Sequence, residues 1–403
     1  MKNYCEICGN NKLVEVLNLG RNPLCDNLIK ISSKKKILLH KIVILFCNNC
    51  LTGQQKYPVK KKILFPKSYH YRAALTKDVT NGLKNLVFEA EKIIGSLKNK
   101  LVLDIGCNDG SLLNFFNKKR CKTVGIEPTS AANDANESKH IIFNNYFDSL
   151  TANKVKKKFK KIDIITFTNV FAHIENFQNI IKNLKKIITD KTLIVIENHY
   201  LGSVLDKMQF DTFYHEHART YSFESFLHIS KLLNLDIIKV SFPKRYGGNI
   251  RIFLRKKSGE NKISFSKIKK KENNFLKEFS NMRKKIKIWK IKKRKEILFY
   301  YKKYGKISAK SFPGRATILL KTLGIDEKII SAVYEKSNSL KIGNYVPATK
   351  IPIISDELFF ENKLEEKIII NFAWHISDEI NSYMRMRGFK GKILNIIGKN
   401  DFV

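Results

Sequence analysis

The fold is decided by the stretch Leu101–Ser111, which reads LVLDIGCNDGS. It opens with the short apolar run Leu101–Ile105, which carries one acidic residue and predicts a buried strand. Gly106 and Gly110 then turn the chain into a helix, because glycine permits a tight turn and lets a ligand approach the backbone closely. The free N–H groups at the start of that helix suit a carboxylate or a phosphate. The stretch therefore predicts a strand, a turn and a helix that together bind a small ligand.

The spacing of the two glycines narrows the choice of ligand. It is neither the G-x-G-x-x-G dinucleotide fingerprint nor a P-loop, because no Gly-Lys-Ser/Thr follows. A second predicted strand, Lys122–Ile126, ends in Glu127, whose carboxylate can accept both hydroxyls of a ribose. With a third strand end at Asn169, the pattern favours S-adenosylmethionine (SAM), and another nucleotide is the alternative. The candidate cofactor-binding residues are Asp104, Gly106, Asn108, Gly110, Glu127 and Asn169.

Four cysteines form two Cys-x2-Cys pairs, Cys5 with Cys8 and Cys47 with Cys50. Thiolates at this spacing can turn toward one ion, and two such pairs complete the tetrahedral sulfur shell that suits zinc. Four protein ligands close the shell, so the predicted role of the zinc is structural. Two alternatives stay open: the cysteines are ordinary small apolar residues, or Cys25 substitutes for one of them.

The segment Tyr214–His217 reads YHEH and follows the predicted strand Leu193–Glu197, at the sheet edge where ligands bind. It lacks the H-E-x-x-H spacing of a zinc site. It suits proton removal beside a carbonyl, because a histidine titrates near neutral pH and a carboxylate can orient it. The alternative is a set of buried, hydrogen-bonded residues that hold a loop. His173, just past the strand Ile162–Thr168, is a further candidate near the SAM methyl group, with packing as its alternative role.

The formal net charge of +40 suggests an anionic partner. Only 12 of the 76 cationic residues are arginine, however, and proteins that read nucleic acids rely on arginine for its bidentate geometry. The lysines are spread along the chain, and isoleucine and asparagine are abundant, which is typical of a lysine-rich proteome. The composition therefore argues against a nucleic-acid partner.

The sequence contains no apolar run of about 18 residues, so it predicts no membrane-spanning helix and no membrane partner. The start Met1–Cys5 lacks the apolar core of a secretory signal. Seven cysteines in a long chain without such a signal favour reduced thiols or metal ligands over a disulfide framework. We therefore expect a cytoplasmic protein, and we expect it to be a monomer.

Taken together, these motifs resemble the bacterial C-methyltransferases that act on TDP-linked deoxy-keto-sugars. The resemblance covers essentially the whole chain, and its most specific part is the cysteine quartet followed by the histidine motif. The residues that carry it are Cys5-x2-Cys8 with Cys47-x2-Cys50, Leu103-Asp104-Ile105-Gly106-x-Asn108-Asp109-Gly110, Asn169-Val170-x-Ala172-His173, Phe213-Tyr214-His215-Glu216-His217, Gly247-Gly248-x-Ile250-Arg251 and Tyr345-Val346-Pro347-Ala348-Thr349-x-Ile351-Pro352.

The resemblance implies a mechanism in which a sugar carbon beside a keto group is deprotonated and then methylated by SAM. His217 would be the base, Tyr214 and Glu216 would position it or the enolate, and His173 would help hold the reacting centre. The resemblance also implies residues for the nucleotide sugar, with the choice between the first two left open. They are Tyr69, Tyr71, Arg251, Arg315 and Tyr345.

Two residues depart from the family pattern, and both bear on the nucleotide-sugar site. Pro313 stands where the family commonly has a small residue, and Ala348 stands where the family has the glycine of a Pro-Gly-Thr fingerprint. These departures leave the identity of the sugar open.

The predicted fold class is α/β, because strands and helices alternate from Lys100 onward, as in βαβ units with a parallel sheet. A Lys- and Glu-rich tract, 256–300, predicts a long helix or a helical pair, and the alternation resumes at Lys306. The predicted domains are a zinc-binding module (1–60), a central Rossmann-like class I SAM methyltransferase sheet (61–257), a helical linker (258–305) and a smaller Rossmann-like C-terminal α/β domain (306–403) that binds the nucleotide sugar.

Two other functions compete with sugar methylation. A zinc module and the +40 charge also fit an RNA-modifying SAM-dependent methyltransferase, which would group basic and aromatic residues on one face. A scaffold that binds SAM without turnover is the third possibility. The tyrosine–histidine motif argues against a scaffold, since such a module needs no base.

Overall fold

Strands and helices alternate along most of the chain, as predicted. The structure is a computed structural model that describes residues 1–34, 37–67, 69, 71–75, 77–256 and 265–402. The strands are β1 (Leu13–Asn22), β2 (Ile29–Lys30), β3 (His40–Cys47), β4 (Gly53–Gln55), β5 (Leu101–Ile105), β6 (Lys122–Ile126), β7 (Ile141–Phe143), β8 (Ile164–Thr168), β9 (Leu193–His199), β10 (Arg219–Thr220), β11 (Asp236–Ser241), β12 (Asn249–Arg255), β13 (Ile307–Lys310), β14 (Ile330–Glu335), β15 (Asn344–Tyr345), β16 (Ile353–Ser355), β17 (Ile368–Asn371) and β18 (Lys392–Asn395). The α-helices are α1 (Lys61–Leu64), α2 (Lys77–Ile94), α3 (Ser111–Lys118), α4 (Ala131–Glu137), α5 (Ser149–Lys158), α6 (Phe177–Ile187), α7 (Leu201–Asp206), α8 (Phe223–Leu233), α9 (Ser266–Glu272), α10 (Phe275–Tyr304), α11 (Ala316–Leu323), α12 (Glu357–Asn362) and α13 (Ser377–Met386).

The central sheet has seven strands in the order β11-β12-β9-β8-β5-β6-β7. Strands β5 to β9 pair in parallel, and β12 runs antiparallel to both β9 and β11. Every residue of β5 is buried. This strand is apolar along most of its length because helices cover both faces of a parallel sheet. The arrangement confirms the predicted Rossmann-like parallel sheet.

Helix α2 packs against the central sheet through one apolar face. The sequence predicts an amphipathic helix over 75–98, and the structure has it over Lys77–Ile94. Leu83, Leu86 and Ala90 lie in the same buried cluster as side chains of α3 and β5. Full burial of a leucine side chain stabilises the fold by about 2 kcal/mol, so this face fixes α2 beside the glycine turn.

The chain divides into two compact units, and both are assembled from separate segments. The first unit comprises residues 1–16, 44–207 and 216–276, and the second comprises 17–43, 208–215 and 277–403. The two cysteine pairs, the central sheet and His217 therefore belong to the first unit. Tyr214, Arg315 and Tyr345 belong to the second unit.

The second unit contains a parallel sheet of five strands in the order β16-β14-β13-β17-β18. The direction in which strands are added reverses between β13 and β17. In open α/β sheets the crevice at such a reversal, beyond the carboxyl ends of the strands, is where ligands bind. This sheet confirms the predicted C-terminal α/β domain.

The Lys- and Glu-rich tract forms the helices α9 and α10, which confirms the predicted helical segment; residues 257–264 of that tract lie outside the described residues. Helix α10 is 30 residues long. Trp289 on α10 is buried, and its ring lies 5.3 Å from that of Phe210. Over the described ranges, no helix combines the length and the apolar content that crossing a bilayer requires.

Candidate active site

The turn after β5 depends on glycine at two positions. Gly106 has a φ of 76° and Gly110 a φ of 78°, in the left-handed region that favours glycine. A Cβ atom at position 106 would come within 2.4 Å of the Val170 side chain. The backbone of Gly106 can lie this close to Val170 only because it has no side chain. The helix α3 then begins at Ser111, as predicted.

Asn108 and Asp109 in this turn hold a second segment of the chain. Asn108 Oδ1 accepts the Ala73 N–H at 2.9 Å, and Asn108 Nδ2 donates to the Tyr71 carbonyl at 3.0 Å. Asp109 Oδ2 accepts the Ala74 N–H at 2.8 Å. The predicted cofactor turn therefore also fixes the position of Tyr71.

The two predicted acidic residues of the cofactor site are both buried. Glu127 Oε2 accepts the Asn108 N–H at 3.1 Å, and Glu127 Oε1 accepts the Thr129 N–H at 2.9 Å. The Thr129 hydroxyl also donates to Oε1, at 2.6 Å. A carboxylate offers about four acceptor sites, so about one site of Glu127 remains for another donor. Burial raises the pKa of Asp104 to about 7, although a hydrogen bond from Thr166 opposes the rise. Asn169, the third strand end, has a left-handed φ of 54°, and its Oδ1 accepts from Asn249 at 3.2 Å.

Three histidines of the first unit, His173, His199 and His217, lie in contact, and we refer to them as the histidine cluster. The His217 ring lies 5.0 Å from that of His173 and 4.8 Å from that of His199. His173 Nδ1 lies 2.6 Å from the Glu216 carbonyl. A carbonyl only accepts, so Nδ1 carries a proton and Nε2 is the acceptor when the ring is neutral. The structure thus brings His173, Glu216 and His217 together.

His199 and Tyr246 are neighbours of these residues that the sequence analysis did not select. His199 ends β9, and its ring lies 5.7 Å from that of Tyr246. The sequence feature that could have identified His199 is its position at the carboxyl end of a central strand, where ligands bind. Tyr246 directly precedes the Gly247-Gly248 pair, and its own φ of 53° is unusual for an aromatic residue.

Tyr69 and Tyr71 approach the histidine cluster by different routes. The Tyr69 ring lies 5.4 Å from that of Phe65, which lies 5.2 Å from the His173 ring. The Tyr71 hydroxyl lies 2.5 Å from the Tyr246 hydroxyl. Each tyrosine thus reaches the cluster through one aromatic neighbour. Their assignment to substrate stays a prediction.

The cysteine module holds the chain just after the histidine motif. The Gln55 N–H donates to the Ala218 carbonyl at 2.9 Å, and β10 pairs with β4 just after His217. Arg219 is buried, donates to Glu6 Oε2 at 2.6 Å and also donates to the Ile174 carbonyl. Glu6 lies between two cysteines and Ile174 follows His173, so this arginine connects the module to the cluster.

The four predicted metal ligands converge. The sulfur atoms of Cys5, Cys8, Cys47 and Cys50 all lie within 4.8 Å of one another. Cys5 and Cys50 are 3.4 Å apart, and Cys8 and Cys47 are 3.6 Å apart. Four sulfurs bound to zinc at about 2.3 Å in a tetrahedron are about 3.8 Å apart, so the quartet fits zinc. Cys25 is buried in the second unit and is not part of the quartet.

Arg251, predicted to bind substrate, is fully buried and all its donors face protein atoms. It donates to Glu197 at 2.7 Å, to Asn85 at 2.8 Å and to the Gly82 carbonyl at 3.1 Å, and it also pairs with Glu89. These contacts indicate that the Arg251 guanidinium stabilises the fold. The predicted contact with substrate is tested by the variant below.

Arg315 and Tyr345 lie in the second unit. Arg315 follows β13 and forms two hydrogen bonds with the Asp211 carboxylate, at 2.8 and 2.6 Å. Trp374, which follows β17, donates to the same carboxylate at 2.9 Å. Asp211 therefore joins the two loops on either side of the strand-order reversal. Tyr345 pairs with Ile29 in the two-stranded sheet of β15 and β2.

Three family models match consecutive parts of the chain. They describe a zinc binding domain (residues 5–65), a methyltransferase domain (78–240) and a C-methyltransferase C-terminal domain (244–397). The C-methyltransferase NovU of Streptomyces niveus is 21% identical over 388 residues, which are 93% of this chain and 90% of that protein. The chain therefore carries regions similar to these three domains, in this order. The enzyme is a SAM-dependent methyltransferase, and its cofactors are SAM and a structural zinc.

Two solved structures resemble part of the enzyme. Magnesium protoporphyrin IX methyltransferase (ChlM) from Synechocystis PCC 6803 with bound SAM is 14% identical, with a TM-score of 0.34, and the match covers 44% of this chain and 80% of that chain. The PH0226 protein from Pyrococcus horikoshii OT3 is also 14% identical, with a TM-score of 0.36. That match covers 49% of this chain and 100% of that chain.

Replacing Cys47 by serine removes one sulfur ligand from the quartet. We expect the zinc content, measured by atomic emission on protein purified without chelator, to fall from about one ion per chain to nearly none. The melting temperature should fall with it, because metal binding stabilises only the folded module. Cys25→Ala is the control and should keep its zinc. If the wild-type protein, purified without chelator, contained no zinc, the assignment would be contradicted.

Asp104→Asn should change the pH dependence of stability in the SAM-free enzyme. The folded pKa of about 7 lies above the usual 3.8, so the stability that the protonated carboxyl provides is complete below pH 4 and is lost as the pH rises to 7. Relative to wild type, the free energy of unfolding of the variant should rise little at pH 4. Above pH 7 it should rise by roughly 4 kcal/mol, at 1.36 kcal/mol per unit of pKa shift. Thermal unfolding from pH 4 to 9 measures this gain.

Asp163→Asn is the matched control for this titration. Burial opposes ionisation of Asp163, but the Leu101 N–H and Lys161 outweigh it and lower its pKa. Its charged form therefore stabilises the fold, and the control variant should lose stability as the pH rises. A stability gain for Asp104→Asn that does not change with pH would refute the predicted titration.

Arg251→Met should cost about 3 kcal/mol of unfolding free energy, because it leaves buried carboxylates short of a partner. Urea unfolding measures the loss. Lys239→Met, which removes the partly exposed partner of Glu89, is the control and should cost less than about 1 kcal/mol. If Arg251→Met instead kept its stability and raised only the KM for substrate, the substrate-binding prediction would hold.

Proposed function

We propose that the enzyme methylates a carbon of a nucleotide-linked deoxy-keto-sugar, with His217 as the base that removes a proton beside the keto group. The observation that carries the proposal is the histidine cluster, which follows β8 and β9 on the central sheet. The C-terminal family model and NovU support methyl transfer to carbon. The sugar class rests on the resemblance of the motifs.

Methylation at carbon requires a base, because carbon is a poor nucleophile until it is deprotonated. A neighbouring carbonyl delocalises the resulting charge onto oxygen. An imidazole suits the task, since its ordinary pKa lies near neutral pH. Bound SAM supplies an electrophilic methyl group. His217 takes the proton, and Tyr214 and Glu216 position His217 or the enolate.

His173 has a positioning role in this proposal. Its Nδ1–H donates to the carbonyl of Glu216, and Glu216 is the residue just before His217. The hydrogen bond therefore orients the backbone that carries the base, and it leaves Nε2 of His173 as an acceptor in the neutral ring. Arg219 donates to the carbonyl of Ile174, the residue after His173, and therefore holds the same part of the chain as His173.

The residues proposed to hold SAM fit a nucleoside with a charged amino-acid tail. Gly106 and Gly110 form the tight turn that leads into α3, and Glu127 has about one acceptor site left for a ribose hydroxyl. Asn108 and Asn169 both have left-handed backbones next to this turn. The buried Asp104, which accepts a hydrogen bond from Thr166 at 2.6 Å, completes the proposed set.

The second unit is proposed to contribute Arg315 and Tyr345 to the nucleotide sugar. Arg315 lies at the carboxyl ends of β13 and β17, where such sheets bind ligands. Its guanidinium carbon lies 5.3 Å from the Trp374 ring centroid, so a cation and an aromatic surface are offered together. This pairing supports a ligand that has both a phosphate and a ring.

Several predictions on organisation accompany this function. The domain boundaries at residues 60, 257 and 305, the monomeric state, the cytoplasmic location and the lack of a nucleic-acid partner all stay predictions. RNA methylation, which the zinc module and the charge of +40 also fit, is retained as an outcome of the assay that follows.

His217→Ala should abolish methylation of the sugar and leave SAM affinity nearly unchanged, because the base contacts the sugar carbon rather than the cofactor. Incubation with labelled SAM and a panel of TDP-keto-sugars measures turnover, and calorimetry measures SAM binding. Loss of a general base should reduce kcat by roughly 10²- to 10⁴-fold.

His228→Ala, a histidine on α8 outside the cluster, is the matched control and should keep wild-type turnover. An equal loss of turnover and SAM affinity in His217→Ala would make His217 a structural residue. Label that enters bulk RNA but none of the sugars would replace the proposal with RNA methylation.

A further inference from the structure

Two phenols meet beside the histidine cluster. The hydroxyl groups of Tyr71 and Tyr246 lie 2.5 Å apart, and the ring of Tyr246 lies 5.7 Å from that of His199. His199 in turn contacts His217 at 4.8 Å. All four residues belong to the first unit. Tyr246 therefore contacts His199, and His199 in turn contacts the proposed base, His217.

Tyr71 is held in place by a polar contact of its backbone, and Tyr246 by the ion pair of the residue before it. Asn108 binds the Tyr71 carbonyl and the Ala73 N–H, so the cofactor turn fixes Tyr71. Tyr246 has a φ of 53° and a ψ of 24°. The preceding residue, Arg245, is buried and paired with Glu197. An aromatic residue with a left-handed backbone is strained, and such strain collects at functional sites.

The hydrogen-bond count leaves one phenolic proton for a ligand. When two hydroxyls bond to each other, one donates and the other keeps its own proton. Among the described residues, neither hydroxyl has another hydrogen-bond partner. Burial raises the pKa of both Tyr71 and Tyr246, although Arg245 opposes the rise for Tyr246. Both phenols are therefore protonated at neutral pH and act as donors, not as bases.

We propose that Tyr246, acting with Tyr71, is a catalytic residue that donates a hydrogen bond to the oxygen of the substrate carbonyl as it becomes an enolate oxygen. The proposal rests on the proposed function. In the step it serves, the C–H bond breaks and its proton goes to His217. The electron pair of that bond forms the carbon–carbon double bond, and the carbonyl π pair moves onto the oxygen. The phenol proton then faces a full negative charge.

A pair of phenols suits this role better than one. The donating phenol polarises the one that accepts from it, so the proton offered to the ligand is more positive. The pair is also partly buried, and a hydrogen bond to a developing anion is stronger away from water than in it. Removing one donor from such a site typically lowers kcat by about 10²- to 10³-fold.

The test compares Tyr246→Phe and Tyr71→Phe with the control Tyr200→Phe. The control also loses a buried phenolic hydrogen bond, to Glu272, outside the histidine cluster. The main readout is the uptake of deuterium from D2O at the sugar carbon beside the keto group, with the demethylated cofactor bound so that no methyl transfer follows. Steady-state kinetics, SAM affinity and melting temperature are measured on the same three proteins.

For Tyr246→Phe we expect deuterium uptake and kcat to fall together by about 10²-fold, with the KM for the sugar and the affinity for SAM within about threefold of wild type. Tyr200→Phe should keep wild-type exchange even if it melts earlier. Normal exchange in Tyr246→Phe would overturn this inference and leave the proposed function intact. Wild-type enzyme that exchanges none of the keto-sugars would overturn both.

Discussion

Glu197 is a fully buried carboxylate near the end of β9, and three side chains converge on it. Arg251 donates to one oxygen at 2.7 Å, while Asn249, at 2.8 Å, and Arg245 donate to the other. Burial opposes the charge on Glu197, but the two guanidinium groups outweigh burial and lower its pKa. A buried carboxylate is tolerated only when it is paired in this way. The carboxylate therefore fixes the segment 245–251 against the central sheet.

This one constraint positions several residues of the proposed active site. Arg245 directly precedes Tyr246, so its pairing with Glu197 anchors the left-handed turn that carries the phenol. Asn249 also donates to Asn169 Oδ1, which ties the proposed cofactor residue to the same carboxylate. His199 lies two residues beyond Glu197 on β9, and β9 pairs with β12 in register there. Removing the Glu197 carboxylate would therefore disturb the Tyr246 phenol, the proposed cofactor residue Asn169 and His199 together.

Local pattern was enough to predict the elements but not these pairings. The sequence predicts strand β6 with its bounds and a helix directly after Gly110, because apolar periodicity and glycine are local signals. The short helices α12 and α13 were not predicted, since their apolar residues, such as Phe359 and Met384, gain meaning only from the core they enter. Arg251 was assigned to substrate from its motif. Its burial among carboxylates depends on the antiparallel register of β12, which the sequence does not state.

The departures from the family pattern can be weighed in the same physical terms. Ala348 has a φ of 59°, in the region that favours the glycine it replaces, so alanine costs about 1 kcal/mol there. Arg315 is different, because Asp211 already satisfies its guanidinium through two hydrogen bonds. An anion that binds Arg315 must share the cation with Asp211. Differences in substrate choice are therefore better sought at Asp211 and Trp374, which set the charge and shape around Arg315, than at position 348.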